Sequence, residues 1–328
     1  MATRPLDDLT VIPDRINVRV RRPLQDRIFR AVVRAGGGLT LAIMALIAFF
    51  LVSRSSKAIH IAGFRKFLTT QRWLPNSGHF GIGAVLFDTV VIALIAITIA
   101  VPTSIAVALF ITEYAPRRMK RALTSLVDLL AAVPSIIYGL WGLFFLAPRE
   151  RGVAIWLSTH LAFIPIFKTP NDGRYSGSAF LAGVVVSLMT IPICTSVMRE
   201  VFSQAPLGER EGALALGGTR WGMIRTVVLP FGRGGIIGGT MLGLGRALGE
   251  TIVVALLISP IFIRSTQILH QGGNSISALI ALQFGEASPL GISALMAAGL
   301  ALFGLTLIIN TAAAVVVARS RSGAATEI

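Results

Sequence analysis

Residues Glu211–Pro230 read EGALALGGTRWGMIRTVVLP, a polar stretch between two long apolar segments. Small residues crowd its first half: Gly212, Ala213, Ala215, Gly217 and Gly218. Small side chains let a short helix approach another backbone closely, and a Gly-Gly pair ends that helix where the chain must turn. The stretch closes on Val227, Val228, Leu229 and Pro230. An ordinary surface helix with a glycine stop accounts for the turn. A helix built to enter a cleft on a separate subunit accounts for the small residues as well.

The spacing carries a resemblance. Glu211 is followed by two small residues, then three residues, then Gly217, then nine residues from Gly218 to Thr226, then Val227, Leu229 and Pro230. This resembles the EAA coupling loop of ABC-transporter permeases, with Gly212 in place of the second residue and Val227 in place of isoleucine. Both departures keep the residue small or β-branched. The resemblance implies that Glu211, Gly212, Ala213, Gly217, Leu229 and Pro230 couple the chain to a separate ATPase.

Composition agrees with a membrane setting. Of 328 residues, 54% are hydrophobic and 14% charged, the profile of a polytopic membrane protein. A hydrocarbon core of roughly 30 Å takes about 20 apolar residues in a helix. Six runs qualify, near Ala35–Val52, Leu86–Ile111, Ala122–Ala147, Phe180–Met198, Gly234–Ile258 and Gly291–Ala318. The stretch Val153–Phe167 is shorter, carries His160 and Pro165, and reads as an amphipathic or re-entrant piece. The fold class expected is all-α, with six transmembrane helices. Segment by segment, the reading is a basic tail over 1–34, a first span and external loop over 35–85, a transmembrane domain over 86–318 with its loop at 199–233, and a tail over 319–328.

With the N-terminus inside, 19 of the 30 Lys and Arg residues fall in cytoplasmic segments, as the positive-inside rule requires. A seventh span would put the Glu211–Pro230 loop outside, away from ATP. The net charge of +15 is therefore topological and headgroup-facing rather than a nucleic-acid footprint. Cys194 is the one cysteine, and His60, His79, His160 and His270 lack ligand spacing, so no disulfide framework and no metal site are expected. No GxxxxGK[ST] phosphate loop occurs.

Within the fifth run, Gly243–Ile258 reads GLGRALGETIVVALLI. Charges at membrane depth cost on the order of 2.5–3.5 kcal/mol each and need a partner or an aqueous path. Four residues apart on one helix, Arg246 and Glu250 share a face and can pair. They line a substrate path or gate, or they form a fixed bridge. Gly235, Gly239 and Gly243 make a small-residue stripe suited to close helix approach, at a subunit interface or within the chain. Asp128, deep in the third run, is a further pathway candidate, with a packed hydrogen-bonded role as the alternative. Asp88 sits at the start of the second run, a favourable place for an anion, and Glu113 is expected to pair with Arg117 at the surface. Pro102, Pro134 and Pro192 fall inside spans, where each removes a backbone hydrogen bond and is able to kink its helix, as a hinge or as a static feature.

LLAAVPSIIYGLWGLFFLAP over Leu129–Pro148, together with LGRALGETIVVALLI over Leu244–Ile258, resembles the PstC-type permeases of phosphate ABC importers, over roughly Leu86 to Val317. The resemblance implies a type I importer permease fold and phosphate as cargo, with Arg246 and Glu250 implicated in transport. It implies four kinds of partner: a homologous PstA-type permease, an ATPase dimer that binds ATP and Mg, an extracytoplasmic phosphate-binding receptor and the lipid bilayer. No cofactor is expected in this chain. Permeases for molybdate, sulfate or phosphonate are the alternative, since selectivity is expected to lie in the receptor. An ion-gradient carrier has no need of the coupling loop and usually shows inverted repeats. An enzyme using Glu250 as general acid lacks a second catalytic group.

Overall fold

The computed structural model describes residues 24–168, 175 and 177–320. In chain order the helices begin with α1 (Leu24–Ala62) and α2 (Phe64–Thr69), followed by a two-stranded hairpin of β1 (Trp73–Leu74) and β2 (His79–Phe80) with Trp73 opposite Phe80. Then come α3 (Gly83–Leu109), which runs on into a π-turn at Phe110–Tyr114, α4 (Arg117–Ala132), α5 (Ser135–Trp141), and α6 (Ala147–His160), the last two joined by a π-turn at Gly142–Leu146. After α7 (Ala179–Ser203) follow α8 (Leu207–Ala215), α9 (Arg220–Met223), a π-turn at Ile224–Val228 and α10 (Leu229–Phe231). The chain closes with α11 (Arg233–Leu248), α12 (Ile252–Leu257), α13 (Ile276–Gln283) and α14 (Pro289–Ser320). Among the described residues four helices are long and apolar enough to cross a membrane, and six spans result if two bent helix pairs each count as one.

The chain divides into two compact units at Phe49, inside α1. The first, through Phe49, contributes helix from Leu24 onward. Residues 24–34, expected in the basic tail, are thus already helical, and Arg15, Arg19, Arg21 and Arg22 lie outside the described residues.

The second unit holds the core. Its central layer is α3 against α7 and α7 against α11, and glycines set the spacing. A Cβ on Gly183 would lie 2.6 Å from Ile95 of α3. On α11, a Cβ at Gly235 would meet Val201 at 2.6 Å, and one at Gly243 would meet Cys194 Sγ at 2.5 Å and Thr190 at 2.7 Å. Gly239 faces the Cys194 carbonyl, which a Cβ would approach to 3.2 Å. The Gly235/Gly239/Gly243 stripe therefore packs on α7 of the same chain. In lipid, where apolar surface alone does not drive helices together, such close packing supplies the attraction.

Two expected spans are broken. The run Ala122–Ala147 is not one helix: α4 and the helix from Ser135 to His160 meet at 88°. Pro134 is the cause, because a residue before proline is pushed out of the α region, and Val133 is extended (φ −63°, ψ 127°). The Tyr138 hydroxyl ties the corner by donating to the Leu130 carbonyl at 3.0 Å. Val153–His160 is the end of α6 rather than a separate piece, so Arg149 and Arg151 are helical and not in a loop. Pro102 and Pro192, by contrast, lie inside the continuous helices α3 and α7.

The run Gly234–Ile258 breaks as well. Helix α11 ends at Leu248 and α12 starts only at Ile252. The carbonyls orphaned at that break are met by the start of α13: Ser275 Oγ donates to Glu250 O at 3.4 Å and Ser277 Oγ to Leu248 O at 3.5 Å. Nearby, buried Asp88 accepts from the Asn274 amide at 3.1 Å, and Thr89 Oγ1 from the Ile276 amide at 3.1 Å. Asp88 thus anchors the loop before α13 instead of serving its own helix end.

Candidate translocation path and coupling surface

Helix α11 has two faces with opposite uses. One carries the glycine stripe into α7. The other opens on a cavity of about 650 Å3 lined by Ile193, Gly238, Met241, Leu242, Gly245, Arg246 and Asn310. No atom comes within 4 Å of a Cβ built on Gly238 or Gly245, so glycine there leaves room. Arg246 brings the charge. Its Nε is buried and has no hydrogen-bond partner among the described residues.

Glu250 does not neutralise it. No ion pair joins Arg246 and Glu250 among the described residues, contrary to the pairing expected from a four-residue spacing on one helix. The helix ends between them, and the i,i+4 geometry that would bring them together ends with it. Glu250, 8% exposed, instead accepts the Val253 amide at 3.3 Å through Oε1. The side chain caps the start of α12, where free N–H groups need an acceptor.

Asp128 lies elsewhere. On α4, 52% exposed, it accepts from Ser196 Oγ at 3.2 Å and faces Arg199 Nη2 at 3.8 Å, both on α7. It is not among the residues lining the Arg246 cavity, and its geometry is that of a bond holding α4 to α7.

The Glu211–Pro230 stretch forms a compact helical knob. Glu211 and Gly212 are exposed on α8, while Ala213 packs on the cluster of Met198, Phe202, Met223 and Ile224. Gly217 takes a left-handed φ of +84°, and a Cβ on Gly218 would sit 2.5 Å from the Ala213 carbonyl oxygen. Both glycines are therefore demanded by the turn that ends α8. Thr219 caps α9 by accepting the Gly222 amide at 3.0 Å. Leu229 is half-buried against the same cluster and Pro230 is exposed in the first turn of α10. The chain then bends by 66° into α11 at Gly232, where a Cβ would strike the Phe202 ring at 2.3 Å.

Two features of this knob escape a reading by spacing. Leu216 is 91% exposed, and Leu207, Leu214 and Trp221 of the same knob are exposed as well. Leu216 falls outside the seven-residue spacing that relates Leu214 to Trp221, and it lies in the turn that Gly217 makes. Glu113, expected to pair with Arg117, pairs instead with Arg210 of α8 at 3.2 Å. Ninety-seven residues of sequence separation hide that contact.

A family model described as "Binding-protein-dependent transport system inner membrane component" matches residues 100–322. The chain is 40% identical over 318 residues, 95% of its length and 97% of the relative's, to the phosphate transport system permease protein PstC 2 of Mycobacterium tuberculosis. It is 39% identical over 316 residues, 94% of its length and 95% of the relative's, to the phosphate transport system permease protein PstC of Xylella fastidiosa. Among solved structures it is similar to a chain of the bacterial alginate ABC transporter in complex with alginate pentasaccharide-bound periplasmic protein. There the TM-score is 0.58 at 20% identity, covering 89% of this chain and 96% of that one, a likeness of fold.

Proposed function

The chain belongs to the family of binding-protein-dependent transport system inner membrane components, and we propose that it is the permease subunit of an ATP-driven importer of inorganic phosphate. The observation that carries the reading is Arg246: a guanidinium on the wall of a cavity of about 650 Å3, with its nearest carboxylate in sequence engaged elsewhere. A charge so placed is costly in a membrane, and a tetrahedral oxyanion with several acceptor oxygens offsets that cost while in transit. The phosphate permeases to which the chain is similar over nearly its whole length favour phosphate among oxyanions.

The knob supports the reading of a machine with several parts. Both termini lie in the cytoplasm of a bacterial cell whose inner membrane the chain crosses several times. The exposed face of α8 with Leu216 docks on a separate ATPase dimer, which binds ATP and Mg. A homologous PstA-type permease completes the path, and an extracytoplasmic receptor delivers phosphate. ATP binding draws the ATPases together, the knobs move with them, and the cavity changes the side to which it opens. Arg246 attracts the anion, and its single charge lets the cargo go.

The test is uptake of labelled phosphate by cells deficient in phosphate transport that express this chain with its receptor, partner permease and ATPase. Wild type imports phosphate when ATP is available, and Arg246→Gln and Glu211→Lys each lower the rate at least tenfold while the complex still assembles. An assembled wild-type complex that imports no phosphate overturns the substrate, and import of molybdate, sulfate or phosphonate in its place names the replacement.

A further inference from the structure

The π-turn Phe110–Tyr114 that closes α3 is gripped from both limbs of the knob. From α8, Arg210 Nη1 meets Glu113 Oε1 at 3.2 Å, with the side chains 15% and 6% exposed. The other arm of the same guanidinium, Nη2, donates to the Phe202 carbonyl at 2.5 Å, near the end of α7. From α9, the Arg220 guanidinium stands 5.5 Å from the Tyr114 ring centroid. The two arms of one guanidinium thus join α8 to the ends of two core helices, to Glu113 by charge and to the Phe202 carbonyl by a hydrogen bond.

Stability does not explain the pair. A buried ion pair roughly breaks even against apolar residues of similar shape, since desolvation consumes the Coulomb gain. The π-turn itself is an uncommon device, frequent at functional positions. What the pair does supply is a shielded charge contact between α8 and the end of α3. Beyond it, α3 and α7 pack together through Gly183, and α7 bears on the glycine face of α11, whose opposite face carries Arg246. A displacement of α8 therefore reaches the cavity through close-packed contacts, which pass on movement because they cannot compress.

We propose that the Arg210–Glu113 ion pair is the joint that transmits movement of α8 to α3 and α7, and so to the Arg246 face of α11. The proposal rests on the reading that α8 docks an ATPase. Its test is the ratio of phosphate imported to ATP hydrolysed, in proteoliposomes holding the whole complex. Glu113→Gln, near-isosteric and hydrogen-bonding, lowers that ratio at least fivefold, while the ATPase still copurifies and basal ATP hydrolysis stays within twofold of wild type. The charge exchange Glu113→Arg with Arg210→Glu gives a ratio at least twice that of either reversal alone.

A second readout needs no substrate. A cysteine placed at Gly245, on the cavity wall, changes its rate of labelling by a small charged thiol reagent at least threefold when ATP is added. With Glu113→Gln present, that response falls below 1.5-fold. A Glu113→Gln complex that keeps the wild-type ratio or the full ATP response overturns the joint, as does one that fails to assemble, since the pair is then structural only. A wild-type complex that responds to ATP at Gly245→Cys but imports no phosphate overturns the substrate reading and leaves the joint standing.

Discussion

A helix break separates Arg246 from Glu250: Arg246 lines the cavity beside α11, and Glu250, in the break itself, accepts the Val253 amide at 3.3 Å and caps α12. Their roles are separable for that reason. Arg246→Gln lowers phosphate uptake at least tenfold and leaves the thermal midpoint of the purified complex unchanged. Glu250→Ala lowers uptake too, but through the fold, with a loss of about 1 kcal/mol typical of a lost cap and a lower midpoint. Uptake and thermal unfolding on the same preparations check both, and equal midpoints for the two variants contradict the assignment.

The two faces of α11 predict opposite responses to the same added methyl. At Gly243 it lands 2.5 Å from Cys194 Sγ and 2.7 Å from Thr190, so Gly243→Ala destabilises by about 1–3 kcal/mol, the usual cost of overpacking. Adding Cys194→Ala recovers part of it. At Gly245 nothing lies within 4 Å, and Gly245→Ala leaves the midpoint at or above that of wild type. Thermal unfolding of the three variants decides.

Cysteine labelling maps the same division. Cys194, the chain's one cysteine, is buried, so the folded wild type resists maleimide until denatured. Gly245→Cys is modified readily and Gly243→Cys is not. Equal labelling of the two removes the two-faced description of α11.

The knob yields a third contrast. Gly218→Ala drives a methyl against the Ala213 carbonyl at 2.5 Å, where only backbone movement relieves it, whereas Gly212 has open space around it. Gly218→Ala weakens retention of the ATPase on affinity purification, and Gly212→Ala, which gains about 0.5–1 kcal/mol of helix stability, preserves it.

Leu216→Asp tests the exposed apolar group alone. At 91% exposure the substitution leaves the midpoint of the isolated chain unchanged. It weakens ATPase binding at least tenfold, about 1.4 kcal/mol, as expected for a contact at the centre of an interface. Quantitative pull-down with increasing ATPase gives the shift.

Much is legible in the amino-acid sequence alone. Hydropathy marks the spans because the bilayer tolerates little else, and the small residues and glycine stop over Glu211–Pro230 mark the knob because a tight helical turn has few chemical solutions. The Arg246 charge stands out in an apolar run for the same reason. Sequence could not place the breaks at Pro134 and Gly249: proline also sits inside the unbroken helices at Pro102 and Pro192, and whether a helix survives it depends on what collects the freed carbonyls. Nor could it choose the partners. Glu113 takes Arg210 over its neighbour Arg117, Glu250 takes a backbone amide over Arg246, and the glycine stripe takes α7. Local spacing states which groups are able to meet. Which of them do meet is decided by the packing of α3, α7 and α11, where every buried charge and carbonyl competes for the few groups that reach it.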